Sequence, residues 1–269
     1  MTSRTLCRAD YLLAQAGAAG AVLGLDTGSP IASIALAAGG RLVGAIARPV
    51  TSHGAALPVA VAQLLDQAEL RASDLSGIAV GIGPGSFTGL RIGLSYAKGL
   101  AFASGAKIIG VASLDALAAG ALDTPAARPG LQVCALLDAR KGEVYAALYE
   151  IVADRLEKIS QDVVMPLVRV TSPLRQNAIL AGDYTAKDAA ALAEKQGLAV
   201  TVLGPGALES RGRYIAAQGA ASIAAGRSDS IDSLEPLYVR PPDAIAASGQ
   251  PKVSEGVWSA ERKNLSGSI

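Results

Sequence analysis

Histidine is almost missing from this chain: its 269 residues hold one, His53. A metal site built on two histidines is excluded, and any histidine-activated nucleophile would depend on that single ring. Cysteine is scarce too. Cys7 and Cys134 lie far apart in no metal or redox spacing, which fits a reducing, cytoplasmic compartment. Charged residues make up 17% of the chain and apolar residues 51%, where ~25% charged is usual. With 24 basic and 23 acidic residues and a net charge of +1, no block of one sign stands out. This argues against strong nucleic-acid binding by the chain alone, because that affinity comes from clustered Lys and Arg. The low charge has two readings of equal weight: an alanine-rich coding bias, or a surface buried against partners. No run of ~18 apolar residues occurs, so no membrane-spanning helix is expected.

The N-terminus carries Arg4 and Arg8 ahead of Tyr11 to Gly20, with Ala14-Gln15-Ala16 resembling a signal-peptidase site. Asp10 and Gln15 interrupt that stretch, and a core strand follows within a few residues. Residues 1–20 therefore read as a disordered or marginally helical extension. Strands are expected over Ala21 to Leu25, Ile31 to Leu36 and Arg41 to Ala47, with a turn at Gly39-Gly40. A helix is expected from His53 to Leu70, its apolar positions Leu57, Val61, Leu64 and Leu65 falling on one face. An apolar run, Gly77 to Ile82, reads as a buried strand that opens into a helix from Leu90 to Ser104. Lys107 to Val111 follows as a strand, and Ser113 is a candidate N-cap for the next helix.

The pattern then restarts. Leu131 to Leu137 is an apolar strand ending in Asp138, as the earlier strand ends in Asp26, and Val144 to Tyr149 alternates after a polar turn. At the same offset Leu36 matches Leu148 and Ala35 matches Ala147. Strands at Ala178 to Ala181 and Ala199 to Leu203 alternate with helices at Ala186 to Gln196 and Tyr214 to Ala225. Hairpins followed by alternating helices and strands, twice over, predict an α/β protein of two similar halves. The expected division is 1–20 as extension, 21–122 and 123–243 as the halves, and 244–269 as a disordered tail.

The most informative stretch joins the buried strand to its helix: Gly83, Pro84, Gly85, Ser86, Phe87, Thr88, Gly89, Leu90, Arg91, Ile92, Gly93. A glycine-rich turn of this kind brings backbone N–H groups close to an anion or to another chain segment. Its spacing is neither the Walker nor the dinucleotide pattern, and Pro84 removes a donor. Ser86 fails the G-x-S-x-G pattern of a nucleophile elbow. Along the helix, Gly89, Gly93, Ala97 and Ala101 recur every four residues, a small-residue stripe that lets another backbone approach.

GPGSFTGLRIG looks like the hallmark of the TsaB family. Asp26-Thr27-Gly28 after the first strand, Leu137 to Tyr149 (LDARKGEVYAALY) and Pro236 to Pro241 (PLYVRP) agree with it. Together these cover roughly Ala21 to Pro242. The resemblance implies a duplicated actin, Hsp70 and sugar-kinase fold with a mixed sheet and flanking helices in each half. It implies a non-catalytic scaffold for tRNA N6-threonylcarbamoyladenosine modification. The partners would be a TsaD-type catalytic paralogue and a TsaE-type ATPase. Alone, the chain would form a homodimer, and tRNA would be met only through the complex. The TsaD-type paralogue holds its metal with a His-x-x-x-His pair; here His53 is followed four residues later by Leu57, so no catalytic or metal-binding residue is expected. In nucleotide-using members of the fold an Asp-x-Gly turn surrounds the phosphates, which makes Asp26, Thr27 and Gly28 a vestigial phosphate turn. No cofactor is required, ATP or ADP at a subunit junction being the one nucleotide left open. The resemblance places partner contacts on the two long first-half helices, at Leu57, Val61, Leu64, Gly89, Leu90, Gly93, Leu94 and Ala97. The alternatives are an ATP-dependent, sugar-kinase-like phosphotransferase using Asp26 and Asp138, and an inactive glycoprotease-like regulator acting as a homodimer.

Overall fold

The computed structural model describes residues 5–17, 20–49, 56–183, 185–204 and 206–239, with residues 5–7 described by backbone alone. His53, Arg240 and Pro241, and the tail 244–269, lie outside the described residues.

The first sheet is built from β2 (Ala21–Asp26), β3 (Ile31–Ala38), β4 (Arg41–Pro49), β5 (Leu75–Gly83) and β6 (Lys107–Ala112), after β1 (Thr5–Cys7) has opened the chain. Its order is β4-β3-β2-β5-β6. The β2–β3 and β3–β4 pairs are antiparallel, and β2–β5 and β5–β6 parallel. The second sheet uses β7 (Gln132–Arg140), β8 (Glu143–Val152), β9 (Arg155–Lys158), β11 (Ala178–Gly182) and β12 (Val200–Leu203), with β10 (Val163–Pro166) beside β8. Its order, β9-β8-β7-β11-β12, repeats the first, antiparallel hairpins on one side and parallel strands on the other. The chain thus folds as the duplicated α/β plan expected of it. Neither β9 nor β10 was among the expected elements: each is only four residues long, Arg155–Lys158 mostly charged and Val163–Pro166 ending in proline.

Helices cover both faces of the first sheet. On one face lie α2 (Ala56–Gln67) and α3 (Phe87–Ser104), their apolar stripes packed on Leu23, Leu25, Ile34, Leu36, Ile78 and Val80. On the other face lies α6 (Gly206–Ala224), packed on Val22, Ala35 and Ala79. It sits very close: a Cβ on Gly24 of β2 would come within 2.3 Å of the Ala216 nitrogen. The helix starts two turns before the expected Tyr214 although Gly206 and Gly212 are poor helix formers; Ser33 braces its first turns, its Oγ donating to Glu209 O and accepting from Gly212 N. Between the sheets runs α4 (Ser113–Ala119), and α5 (Thr185–Lys195) lies on the second sheet. Ser113 is the first helical residue rather than the cap; its Oγ accepts from Gly83 N at 3.2 Å.

The chain ends cross over. In place of a loose extension, β1 pairs antiparallel with β9 at the edge of the second sheet. Helix α1 (Ala9–Ala16) buries Ala9, Leu13 and Ala16 against α6. Its register of apolar residues supplies the reason, since one face of a short helix pays for ordering by covering α6. Residues 123–243 likewise do not stay in one half, because α6 belongs to the first sheet.

Candidate functional site

The site is built where the first and second parallel strands of the first sheet end, at Asp26 of β2 and Gly83 of β5. The glycine motif continues from Gly83 through a cis Gly83–Pro84 peptide and lies over the Asp26–Ser29 turn. Ser86 N donates to Gly28 O at 2.7 Å. A Cβ on Gly85 would come within 2.2 Å of Gly28 O, one on Gly89 within 2.1 Å of Thr27 O, and one on Gly93 within 2.2 Å of Thr27 Oγ1. The glycines are therefore what seats helix α3 on the turn. Ser86 caps that helix, its Oγ accepting from Gly89 N.

The turn's polar groups point inward. Asp26 is fully buried, and its Oδ1 accepts from Gly28 N at 2.7 Å. Thr27 Oγ1 donates to Gly89 O at 2.7 Å. Arg211, on α6, is also fully buried and brings Nη1 to 3.4 Å from Asp26 Oδ1. Its Nη2 donates to Ser29 Oγ at 2.6 Å and to Ile31 O at 3.0 Å, and its Nε to Leu208 O at 3.2 Å. Arg211 carried no signal in sequence: it sits in an alanine-rich segment, 185 positions from Asp26 by number, and only the crossing of α6 brings it there.

A metal-bound phosphate does not fit this turn. Magnesium keeps several waters in an octahedral shell at ~2.0–2.1 Å and needs open carboxylate oxygen. Asp26 Oδ2 faces the Cα of Gly81, where a Cβ would lie 2.4 Å from it, and Gly28 is covered by the Leu90 side chain. Among the described residues no group of three or more His, Cys, Asp or Glu is placed to hold a metal ion.

The other motif residues lie elsewhere. Phe87, Thr88 and Arg91 are exposed on α3. Arg91 stacks over the Phe87 ring at 3.9 Å and donates from Nε to the Tyr238 hydroxyl at 3.1 Å, while the Phe87 and Tyr238 rings are 5.3 Å apart. Leu237 N donates to Ile82 O, so Pro236–Val239 is tied alongside the glycine motif. In the second half, Asp138 is not sealed as Asp26 is: its Oδ1 accepts from Arg140 N and its own N donates to Asp183 Oδ2. With Arg140, Lys141, Thr185 and Asp188 it lines a shallow cleft of about 310 Å³.

The expected partner contacts require correction. Leu57, Val61, Leu64, Gly89, Leu90, Gly93, Leu94 and Ala97 are all buried in the chain's own core. Helices on a sheet turn their apolar and small stripes inward, and both helices do so here. Their outward positions are Val59, Ala62, Gln63 and Asp66 on α2, and Arg91, Ser95, Gly99 and Phe102 on α3. Two of these are large and apolar, Val59 at 66% exposure and Phe102 at 82%.

Fold and site together define a duplicated α/β protein whose first Asp-ended turn is filled by the chain's own side chains. A family model described as TsaD: tRNA N6-adenosine threonylcarbamoyltransferase matches residues 48–226. The chain is 36% identical over 129 residues to the tRNA threonylcarbamoyladenosine biosynthesis protein TsaB of Escherichia coli, covering 48% of this chain and 54% of that protein. To the TsaB protein of Bacillus subtilis it is 37% identical over 145 residues, covering 52% and 60%. It thus spans between half and three-fifths of the length of these relatives. The solved structure of YeaZ from Pseudomonas aeruginosa superposes with a TM-score of 0.67 at 27% identity, covering 81% of this chain and 99% of that one. The chain belongs to the TsaD family, and within it to the TsaB proteins.

Proposed function

We propose that this chain acts in tRNA N6-threonylcarbamoyladenosine biosynthesis as a non-catalytic subunit. In this role it holds a TsaD-type catalytic paralogue in a competent conformation, with a TsaE-type ATPase joining the pair. The observation that carries the binding role is the outward face of α2 and α3, where Phe102 and Val59 stand exposed on helices otherwise packed inward. Large apolar side chains presented on rigid helices are the kind of anchor that protein interfaces bury. The names of the relatives, tRNA threonylcarbamoyladenosine biosynthesis proteins, support the pathway. The same face serves a homodimer when the partner is absent. Transfer chemistry and tRNA contact then belong to the assembled complex, and no cofactor is held by this chain.

The test is light scattering on size-exclusion chromatography, with the chain alone and mixed with the TsaD-type protein of its own organism. The expected result is self-association giving way to a one-to-one complex. Phe102→Glu should weaken that complex at least tenfold, the cost of about 1.4 kcal/mol at one hot spot, with an unchanged melting temperature. A wild-type chain that forms no complex, with or without ATP and magnesium, overturns the binding role.

A further inference from the structure

We propose that Arg211 is the resident cation of the Asp26 turn. It closes this Asp-x-Gly turn to both metal and phosphate. This does not depend on the partner. A carboxylate removed from water needs a counter-charge and hydrogen bonds. Asp26 is wholly buried and finds its counter-charge within the chain, in a guanidinium that is itself wholly buried. Three further hydrogen bonds, to Leu208 O, Ser29 Oγ and Ile31 O, hold that guanidinium in place. Arg211 cannot swing out without leaving those acceptors and Asp26 unpaired together. Among the described residues, Asp26 Oδ2 and Arg211 Nη1 have no hydrogen-bond partner. What compensates them is their mutual charge.

The remaining groups of the turn are equally committed. Thr27 Oγ1 is spent on Gly89 O, Ser29 Oγ on Ile31 and Arg211, and Gly28 N on Asp26. A phosphate would find neither the hydroxyls nor this amide available. The seal needs α6, so it forms only when α6 crosses onto the first sheet. An actin-like turn is thereby converted from a ligand site into a fixed joint between β2, α3 and α6.

The test uses the full chain. In titration calorimetry with ATP and magnesium, the wild-type chain should show no binding that Asp26→Asn abolishes. In thermal melting, 5 mM manganese, a test concentration of roughly the size used for weak divalent sites, should leave the wild-type midpoint unchanged. Arg211→Met should lower the midpoint by roughly 10 °C, the shift expected when one partner of a buried ion pair is removed. Arg211→Met combined with Asp26→Asn should recover a large part of that loss, because no unpaired charge is then left inside. Two results overturn the proposal: magnesium-dependent ATP binding that Asp26→Asn removes, or losses in the two single variants that simply add in the double variant. Should Arg211→Met fail to fold, the wild-type calorimetry and the rescue by the double variant still decide.

Discussion

Gly81 lies near the end of β5 with its Cα against the Asp26 carboxylate, and an added Cβ would sit 2.4 Å from Oδ2. Asp26 cannot yield, since Gly28 N and Arg211 hold it from the other side. Gly81→Ala should therefore destabilise the chain by about 1–3 kcal/mol, as overpacked interiors do, and urea unfolding would show a lower midpoint at unchanged slope. Titration adds a second expectation at this scale. Burial, then the neighbouring Asp115 and Asp162, raises the Tyr149 hydroxyl well above 10.0. Burial alone pushes the Cys134 thiol from 9.0 up to about 12. Tyr214 is raised too, by burial and its hydrogen bond to Asp123. In all three the folded chain holds a proton that the unfolded chain releases. Their stabilisation is complete below pH 9 and falls as pH rises through 9 and 10 toward the folded values. Melting temperature should decline steeply over that alkaline range, and Tyr149→Phe should flatten the decline.

At the scale of elements, the link between halves runs through a buried charge cluster. Lys158 of β9 reaches Asp115 of α4 at 2.7 Å and Asp162 at 2.6 Å, and the Tyr149 hydroxyl donates to the same Asp115 oxygen at 2.8 Å. The ammonium and both carboxylates are nearly inaccessible. Lys158→Met should cost about 3–5 kcal/mol, because Asp115 then keeps its burial and loses a cation. Chemical denaturation of the variant against wild type measures it. These elements show unevenly in sequence. Strands such as β2, β5 and β7 are plain because continuous apolar runs mark buried parallel strands. The direction in which α2 and α3 face is not, since Gly89, Gly93 and Ala97 suit a packed sheet and a packed partner equally. Here they meet Thr27 and the sheet, and the outward face falls to Phe102.

For the whole molecule, the crossing of the chain ends is the decisive feature. Helix α1 covers α6 through Leu13, Ala9 and Ala16, and β1 extends the second sheet. Removing residues 1–17 should lower stability by at least about 2 kcal/mol, the worth of one buried leucine, and expose apolar surface that binds a hydrophobic dye. Among the described residues no helix is long and apolar enough to cross a membrane. By itself the order of residues determined the duplicated α/β plan, the position of both Asp-ended hairpins and the absence of a paired-histidine site, because periodicity and residue type are local. Only the tertiary structure decided what surrounds the Asp26 turn. Its counter-charge comes from Arg211, 185 positions further along the chain, and a charge pair depends on distance in space rather than on separation in sequence.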